Sequence, residues 1–499
     1  MSQRTVASYK VLIGLEIHVQ LATASKMFTA APNLSGALKP GQTPPEPNTA
    51  VDEQVLGLPG TLPVLNKRAV EYAIRTGLAL GCQINRFTKW DRKSYYYPDL
   101  PKNYQISQYD LPLCHDGVLE IPDDDTPGGV VRVRIRRAHL EEDAGKLLHE
   151  APGGFPIEHS IVDLNRAGTP LLEIVTEPDL STPKQVAAFA QELQKLVQFL
   201  GVSEAQMQLG HMRFEPNINV HITDASGQVH KTAITEIKNL NSFSVLERAT
   251  AYEIARQLGE WEQTGSLGRK ATRGWDESTG ATFLQREKEE AHDYRYFPDP
   301  DLVPVVVDDA WLAELKGQVG ELPAARRARY VTVLGLSPSD AAALSGDRAV
   351  GDFYEAALAR GAGAKRAANL LINVLQAQAA RRGKPVPQAG VSPEQLAEAA
   401  RLIDDAKIAA GSAATLFEKA EPDTSLEALA GELGLIHSTD TATVDAAIDA
   451  LIAQNPKSLQ DYRAGKQAAF GSLVGLIMKS GAKGLNPKVV QERLRARLN

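Results

Sequence analysis

An alternation of apolar and polar side chains near the start of the sequence restricts most strongly how this chain can fold. Apolar residues stand at every odd position from Tyr9 to Leu21, and the positions between them include Glu16 and His18. Because successive side chains of a β-strand point to opposite faces, the pattern predicts a half-buried strand. Glu16 and His18 then share its polar face, about 7 Å apart along the strand. A solvated sheet face and a divalent-cation site are both compatible with this strand alone.

The same alternation recurs in later segments. The polar residues that share a face are Arg213 and Glu215 in segment 211–220, Glu236 and Lys238 in segment 232–240, and Glu173 and Glu177 in segment 171–177. Solvated strands favour Thr, Lys and Ser, whereas these faces are rich in Glu, Asn, Arg and Lys. If the strands belong to one sheet, its polar surface can hold a metal ion and phosphates. The alternative is a set of unrelated ion pairs on a wet face.

The densest acidic feature is the run Glu141-Glu142-Asp143, which follows an alternating segment at 131–135. Three adjacent carboxylates repel one another unless a cation neutralises them. Oxygen ligands with few imidazoles favour Mg²⁺ over zinc. The alternative is an ordinary acidic loop.

Segment 92–105 combines basic residues with tyrosines, among them Lys93 and Tyr95. Aromatic rings stack on bases while Lys and Arg contact phosphates, so single-stranded nucleic acid is a candidate ligand. Tyrosines flanked by prolines can equally be packing residues of an ordered loop, and the segment alone does not decide.

The pattern changes soon after Pro304, from alternation with Gly and Pro to Ala-rich helical spacing. Ser337 and Ser392 are each followed by Pro, which predicts N-caps, and Gln395 would complete a capping box with Ser392. The chain is therefore predicted to be of the α+β class, with helical domains after the mixed part.

Charge is unevenly distributed. The whole chain carries −7, but nine basic and two acidic residues give segment 455–499 a charge of +7, so the remainder carries −14. At 43% hydrophobic and 23% charged residues the composition is that of a globular protein, and no stretch is long enough for a membrane span. Cys82 and Cys114 provide neither a disulfide framework nor a zinc knuckle, and the N-terminus lacks a secretory apolar segment, so a cytoplasmic protein is expected. P-loop, GxGxxG, GxSxG and HExxH motifs are absent from the sequence.

Several long motifs resemble the B subunits of aspartyl/glutamyl-tRNA amidotransferases, the GatB family. They lie at 11–20, 94–108, 139–146 (HLEEDAGK), 162–177, 236–243 and 293–302 (DYRYFPDPDL), and segment 471–498 resembles the YqeY-like tail of that family. The resemblance implies a catalytic cradle domain with a glutamine-synthetase-like antiparallel sheet over 1–310. It also implies an all-α helical domain over 311–425 and an all-α, tRNA-binding tail over 426–499.

The resemblance also implies a function. Such subunits use ATP and Mg²⁺ to phosphorylate the side-chain carboxylate of Glu-tRNA(Gln) or Asp-tRNA(Asn), and ammonia from glutamine then gives Gln-tRNA or Asn-tRNA. The expected partners are an amidase-type glutaminase and a small third protein, which complete a heterotrimer, together with misacylated tRNA and without a membrane. The alternative is a non-catalytic tRNA-binding scaffold of the same kind of complex.

Site residues follow position by position from the resemblance. The metal and phosphate-transfer cluster comprises Glu16, His18, Glu141, Glu142, Glu173 and Glu236, of which His18 and Glu142 are expected to matter most. Arg213 and Lys238 are expected to bind phosphate; for Lys238 the alternative is a salt bridge to Glu236. The predicted tRNA-binding residues are Lys93, Tyr95, Lys479, Lys483, Lys488, Arg493 and Arg497.

The chain departs from the family pattern at two places. The Cys-rich zinc knuckle of many relatives is replaced by Thr29-Ala30-Ala31 after Lys26-Met27-Phe28, so no structural zinc is expected. The usual Arg-Cys-Asp-Ala-Asn reads Arg213-Phe214-Glu215-Pro216-Asn217. Because proline lacks an N–H, Pro216 predicts an edge strand or a bulge.

Overall fold

The computed structural model describes residues 4–35, 42–43, 45–151, 155–287, 294–438, 440–463, 467–479 and 484–498. The chain divides into two compact units, Met1–Leu322 and Pro323–Asn499. Strands lie in the first unit, and helices occur in both, so the protein is of mixed α and β structure.

The strands of the first unit are β1 (Val6–Gln20), β2 (Gln83–Ile84), β3 (Phe87–Thr88), β4 (Asp91–Ser94), β5 (Tyr104–Ser107), β6 (Cys114–Pro122), β7 (Val130–Glu142), β8 (Lys146–Ala151), β9 (Phe155–Asp163), β10 (Pro170–Thr176), β11 (Met212–Asp224), β12 (Val229–Lys231), β13 (Thr235–Lys238), β14 (Ala271–Asp276), β15 (Ala281–Glu287), β16 (Phe297–Pro298) and β17 (Val305–Val306). The largest sheet has the order β15-β14-β13-β11-β1-β10-β7-β6-β2, with β12 paired to β11. The expected antiparallel sheet needs one correction, because β13 and β14 pair in parallel.

The predicted alternation in β1 is confirmed, and it divides the large sheet into two faces. Val11, Ile13, Leu15, Ile17 and Val19 are buried. The alternate residues Leu12, Gly14, Glu16 and His18 are partly exposed. Removing apolar side chains of this size from water stabilises the fold by about 1.5–3 kcal/mol each. The apolar face of the sheet therefore builds the core, and the polar face is left to form a cavity.

Helices cover the apolar face. The helices of the first unit are α1 (Lys67–Ala79), α2 (Pro183–Phe199), α3 (Phe243–Thr264) and α4 (Asp309–Val319). Asn66, Thr182 and Ser242 cap α1, α2 and α3, each accepting a hydrogen bond from a backbone N–H of the first turn. Buried apolar residues from each of the four helices belong to the same hydrophobic cluster as β1.

The prediction that Pro216 marks an edge strand or a bulge is wrong. Pro216 is buried inside β11, a strand that lies between β1 and β13 in the order of the sheet, and it pairs with Leu15 without a register shift. The N–H of Leu15 is directed the other way, to Thr176 Oγ1 at 2.9 Å. The pairing of β11 with β13 starts at Asn217, so the ladder does not require an N–H from Pro216.

The second unit is helical in the part that the structure describes. Its helices are α5 (Pro323–Thr332), α6 (Pro338–Ser345), α7 (Arg348–Ala359), α8 (Ala364–Leu370), α9 (Gln376–Arg382), α10 (Pro393–Asp404), α11 (Ser412–Lys419), α12 (Leu426–Glu432), α13 (Thr441–Gln454), α14 (Pro456–Arg463), α15 (Gln467–Lys479) and α16 (Pro487–Leu498). A π-helical turn, Leu371–Leu375, joins α8 to α9. The predicted N-caps Ser337 and Ser392 are confirmed, and Gln395 completes the capping box.

Two hydrophobic clusters hold the second unit. One contains buried apolar residues of α5 to α12, and the other those of α13, α15 and α16. Leu426 and Ala430 of α12 pack in the first of these, just past the predicted boundary at 425/426. In the first unit, Leu312 and Leu315 of α4 belong to the sheet core although they follow the predicted boundary at 310. The three-domain division itself stays a prediction.

Cys82 and Cys114 are free and buried. Among the residues that the structure describes, none of the helices combines the length and the apolar character that crossing a membrane requires.

Candidate active site

The centre of the polar face is a row of side chains that strand register brings side by side. His18 on β1 pairs with Arg213 on β11 and with Glu173 on β10, and Glu173 pairs in turn with His139 on β7. Directly opposed side chains lie about 4.5–5.5 Å apart at Cβ. Glu16 pairs with Glu215 in the adjacent row. Four strands from distant parts of the chain therefore present imidazole, carboxylate and guanidinium groups to one place.

His18 is surrounded by carboxylates. Its Nε2 lies 3.7 Å from Glu173 Oε2 and 3.8 Å from both Glu16 Oε1 and Glu141 Oε1. His139 Nε2 lies 3.5 Å from the same Glu173 oxygen. The Nδ1 atoms of His18 and His139 are buried without a hydrogen-bond partner among the described residues.

The described residues contain two sets of possible metal ligands, and both lie here. The sets are Glu16, His18 and Glu215, and His18, Glu141 and Glu173; within each, the ligand atoms all lie within 4.8 Å of one another. His18 belongs to both sets. Oxygen-rich sets with one imidazole suit a hard divalent cation.

Charge crowding shifts the protonation of this group. Burial alone would lower the pKa of His18, but the hydrogen bond to Glu173 and the negative charges of Glu215 and Glu173 raise that pKa to about 9. Burial and the charge of Glu173 raise the pKa of Glu16 to about 7. For Glu173 burial opposes ionisation, yet His139 and His18 hold its pKa well below the usual value. Without a bound cation, the surrounding carboxylates thus favour the charged form of His18, and a metal ion that binds there would displace that proton.

Two cations face the carboxylates from β11 and β13. Arg213 Nη2 donates to Asp143 Oδ2 at 2.8 Å, and Lys238 Nζ donates to Glu215 Oε2 at 2.6 Å. Lys238 Nζ also lies 3.5 Å from Glu236 Oε1, so the predicted Lys238–Glu236 salt bridge is present. Thr272 Oγ1 donates to the other oxygen of Glu236 at 2.8 Å. The carboxylates fix both cations beside the metal-ligand sets.

Asp143 organises the loop that follows β7. Its Oδ2 accepts from Gln20 Nε2 at 2.8 Å as well as from Arg213, and Arg166 Nε lies 3.6 Å away. Burial opposes ionisation, but the guanidinium groups of Arg213 and Arg166 lower the pKa of Asp143 to about 2. Gly145 follows closely, and a Cβ there would lie 2.7 Å from the carbonyl oxygen of Asp163, which explains the need for glycine.

The expectation that Glu142 joins this cluster requires a correction. Glu141 and Glu142 are successive residues of β7, so their side chains point to opposite faces. Glu142 Oε1 accepts from Lys102 Nζ and, at 2.9 Å, from the N–H of Ile106, and Glu142 does not line the cavity. The structure therefore brings together Glu16, His18, Glu141, Glu173 and Glu236, and it places the Glu142 carboxylate elsewhere.

A cavity of about 450 Å³ lies over the cluster. Its lining residues include all of the predicted cluster except Glu142, together with Arg213, Lys238, Lys93, Tyr95, Arg137, His139, Asp143, Glu215, Arg286, Tyr294 and Tyr296. Lys93 Nζ lies 5.0 Å from the ring centroid of Tyr294, and the Tyr95 hydroxyl lies 3.4 Å from Asp99 Oδ2. Both predicted tRNA-binding residues of segment 92–105 thus face the cavity.

The basic residues of the tail are in a different situation. Arg493 Nε donates to Asp445 Oδ1 at 2.8 Å, and Arg497 Nη2 donates to Asp449 Oδ2 at 2.5 Å, both across to α13. Lys488 Nζ donates to the carbonyl oxygen of Asp404 at 2.6 Å. Lys483 and the side chain of Lys479 lie outside the described residues. The three described cations each have an intramolecular partner.

Sequence reasoning did not assign His139 or Arg137 to the site, and it named Asp143 only as one of three adjacent carboxylates. Arg137, His139 and Glu141 alternate along β7, so the period-two rule already placed them on one face. Treating 141–143 as one acidic run concealed that alternation. For Asp143, which follows the end of β7, no sequence signal indicated contact with Gln20 and Arg213, more than a hundred and about seventy positions away.

The replaced zinc-knuckle region is held by hydrogen bonding and apolar packing. Thr29 Oγ1 donates to Asp52, and a small cluster contains Ala31, Val55, Leu164 and Ala167. Lys26, fully buried nearby, donates to the carbonyl oxygens of Ala167 at 2.6 Å and Leu164 at 3.3 Å.

The fold and the cavity define a protein in which a large sheet groups carboxylate and imidazole ligands beside fixed cations. The sequence matches the GatB/GatE catalytic domain over residues 11–313 and the GatB domain over residues 352–498. It is 44% identical over 492 residues to the B subunit of the aspartyl/glutamyl-tRNA(Asn/Gln) amidotransferase of Carboxydothermus hydrogenoformans, covering 98% of this chain and 99% of the relative.

Other relatives carry the same name. The proteins of Thermosynechococcus vestitus and Moorella thermoacetica are each 43% identical, over 496 and 493 residues. These matches cover 99% and 98% of this chain, and 97% and 100% of the relatives. The chain belongs to the GatB family.

Proposed function

We propose that this chain is the B subunit of a glutamine-hydrolysing, tRNA-dependent amidotransferase, in which it phosphorylates and then amidates the aminoacyl group of misacylated tRNA. The substrates are Glu-tRNA(Gln), Asp-tRNA(Asn) or both. The observation that carries the proposal is the position of His18, which lies within 3.8 Å of three carboxylates and beside two fixed cations. Family membership and the names of the relatives support the same conclusion.

The chemistry explains why such a site is needed. A carboxylate reacts poorly with ammonia because oxide is a very poor leaving group. Attack of the carboxylate oxygen on the γ-phosphorus of ATP breaks the bond to the bridging oxygen and gives ADP and an acyl phosphate. Ammonia then attacks the acyl carbon, loses a proton and expels phosphate, which leaves the amide. Phosphoryl transfer of this kind depends on positioning and on cations rather than on a covalent protein group.

The residues present fit a divalent cation. Each ligand set gathers oxygen atoms and one imidazole within 4.8 Å, and the crowded carboxylates need a positive charge at their centre. Glu16, His18, Glu141, Glu173 and Glu215 would hold Mg²⁺, with Glu236 adjacent. When bound, the ion would neutralise phosphate charge and polarise the phosphorus.

The protein's own cations would orient the phosphates. Asp143 holds the guanidinium of Arg213, and Glu215 holds the ammonium of Lys238, so neither side chain must be immobilised when substrate arrives. Such preorganised charges act where the negative charge of the transferring group develops. The carboxylates behind Arg213 and Lys238 keep both groups charged and in position.

Recognition of tRNA would use both units. We assign Lys93 and Tyr95 to the 3′ end of tRNA, because both face the cavity. The tail, with Lys479, Lys483, Lys488, Arg493 and Arg497, is proposed to contact the tRNA body through phosphates, which makes binding salt-dependent. By the same resemblance we propose a glutamine-synthetase-like cradle, a helical domain and a YqeY-like tail over 1–310, 311–425 and 426–499.

The proposed partners are a glutaminase of the amidase type and a small third protein, which form a heterotrimer with this chain in the cytoplasm. The glutaminase produces ammonia, and ammonia is the nucleophile of the amidation proposed for this chain. The overall reaction therefore requires both proteins. ATP and Mg²⁺ are the proposed substrate and cofactor, and no zinc is proposed.

The test is an amidation assay. The chain is co-purified with its two partner proteins and supplied with ATP, Mg²⁺, glutamine and each misacylated tRNA in turn. We expect conversion of at least one tRNA, and formation of ADP that depends on the misacylated tRNA even without glutamine. A complex that binds tRNA but neither binds ATP nor forms ADP would instead identify a non-catalytic scaffold.

A further inference from the structure

An aromatic stack stands at the rim of the cavity and is not used by the reaction chemistry described above. The rings of Tyr109 and Tyr296 are stacked with centroids 4.2 Å apart and an interplanar angle of 12°. Tyr294 meets Tyr296 edge-on at 6.0 Å and 74°. Tyr294 and Tyr296 line the cavity, whereas Tyr109 is 52% exposed.

Rigid elements hold the stack in place. The N–H of Tyr109, just after β5, donates to Asp91 Oδ2 on β4 at 3.2 Å, and its carbonyl oxygen accepts from Arg137 at 3.4 Å. Tyr296 directly precedes β16, which pairs with β4. Both tyrosines are thus fixed against β4 or its neighbours before any ligand binds, so a ligand that stacks here meets a preformed surface.

The surroundings supply positive charge. Lys93 Nζ lies 5.0 Å from the ring centroid of Tyr294, and Arg137, which holds the Tyr109 carbonyl, also lines the cavity. Arg286 lines the same cavity. Stacked aromatic rings beside cations are the usual equipment for a base attached to phosphates. A purely packing pair of tyrosines needs neither the exposed outer ring nor the adjacent cations.

We propose that Tyr109, supported by Tyr296, is a stacking platform for the adenine base of a substrate at the cavity mouth. Two substrates of the proposed function carry that base, ATP and the 3′-terminal adenosine of tRNA, and the inference rests on that function. The platform takes one further ring on the exposed side of Tyr109, while the attached phosphates face the cavity cations.

The experiment uses the assembled complex with Tyr109→Ala, with Tyr109→Phe to retain the ring, and with Tyr9→Ala as a control. Tyr9 is similarly exposed, at 54%, but it lies on β1 opposite Ile222, whereas Tyr109 is stacked on Tyr296 of the cavity lining. Dissociation constants are measured for Mg-ATP, for Mg-tripolyphosphate, which lacks the base, for tRNA ending in CCA, and for the same tRNA without its terminal adenosine.

If ATP supplies the base, Tyr109→Ala lowers the affinity for Mg-ATP about tenfold or more and leaves the affinity for Mg-tripolyphosphate unchanged. If tRNA supplies it, Tyr109→Ala weakens the CCA-ended tRNA to the affinity of the truncated one, and ATP is unaffected. In either case Tyr109→Phe and Tyr9→Ala stay within about twofold of the parent, because the ring or the whole platform is kept.

Unchanged binding of all four probes by Tyr109→Ala would overturn the platform, and so would an equal loss for the probes with and without adenine. The parent complex separates this failure from that of the proposed function. A parent that forms no ADP with misacylated tRNA contradicts the function itself, whereas an active parent with an unaffected Tyr109→Ala variant contradicts only the platform.

Discussion

The cavity of the first unit and the basic tail of the second both bring many charges together, but they arrange them differently. In the cavity, carboxylates converge on His18, whose pKa they raise to about 9. In the tail, Arg493 and Arg497 each have one carboxylate partner on α13, Asp445 and Asp449. In the cavity several carboxylates share one imidazole, whereas in the tail each of these two arginines has a carboxylate of its own.

The difference follows from secondary structure. Strand register forces Glu16, Glu173 and Glu141 toward one imidazole, and side chains at the centre of a sheet cannot turn away into solvent. Long side chains on exposed helices can adopt several rotamers, and they can exchange an ion-pair partner for water or for a ligand with little loss of free energy. Local charge on strands is therefore stronger evidence of a site than the same charge on helices.

The largest effect is expected from His18→Ala, which would break the convergent arrangement. Loss of a shared ligand should lower ADP formation by about 100-fold or more, because even outer-shell partners of metal ligands contribute about 10–100-fold. ADP formation and Mg²⁺ affinity are measured in the complex. The control is His159→Ala, an exposed histidine on β9. Normal activity and Mg²⁺ affinity of His18→Ala would show that convergence has no catalytic meaning.

Asp143→Ala tests the support beneath Arg213. Removing one member of a buried charged pair typically costs about 3–5 kcal/mol, because the partner is left uncompensated. We expect destabilisation of that order and a weaker affinity for ATP, measured by chemical unfolding and by KM. Asp143→Asn still offers one acceptor oxygen, so its stability and its KM for ATP should lie between those of the parent and of Asp143→Ala. An ATP KM unchanged in both variants would mean that Arg213 does not contact phosphate.

The adjacent pair Glu141 and Glu142 sharpens the rule of alternation. Glu141→Gln should weaken Mg²⁺ binding by about tenfold or more, since it removes a ligand charge. Glu142→Gln should leave Mg²⁺ affinity within about twofold, because its carboxylate points to Lys102. Calorimetric titration of Mg²⁺ decides, and an equal loss in both variants would contradict the assignment of opposite faces.

Lys26 differs from the charged groups of both the cavity and the tail, because it is a buried cation that donates its hydrogen bonds to backbone carbonyl oxygens. Burial lowers its pKa from 10.5 to about 8, so between these values the unfolded chain binds more protons than the folded one. Stability should therefore rise with pH in that window relative to Lys26→Met, by up to about 1.4 kcal/mol per pH unit. Denaturant unfolding of both proteins at pH 7 to 10.5 measures it. A constant difference across the window would show that Lys26 titrates normally.

The smallest effect is expected from Arg493→Ala combined with Arg497→Ala. Both guanidinium groups already have carboxylate partners, so binding tRNA requires exchanging one anion for another. We expect tRNA affinity to fall by less than about tenfold, and the midpoint of thermal unfolding to move by only roughly 2 °C. Filter binding at several salt concentrations measures the tRNA affinity. A much larger loss would place these arginines at the centre of tRNA recognition.

Sequence reasoning reached most of the cluster through the resemblance to the family, and the alternation of β1 and β11 supported it by fixing the face of Glu16, His18 and Arg213. It differs from the structure for Glu142, which was assigned to the cluster from the resemblance together with Glu141, although the side chains of neighbours on a strand point to opposite faces. The prediction of an edge strand or a bulge at Pro216 also failed. Whether a neighbouring strand needs an N–H from this residue depends on the pairing of β11 with β1 and β13, which local sequence does not show. The tail charges were identified correctly as basic, but their partners on α13 could not be read from local spacing.

The sequence by itself determined the periodicity, and with it the strands, the helix caps at Ser337 and Ser392, and the family to which the chain belongs. Tertiary structure alone decided which faces meet. The register of β1 between β10 and β11 places His18 beside Glu173 and Arg213, and the loop after β7 brings Asp143 to Gln20. Periodicity is set by the covalent geometry of each segment, whereas convergence depends on pairings between segments more than a hundred residues apart.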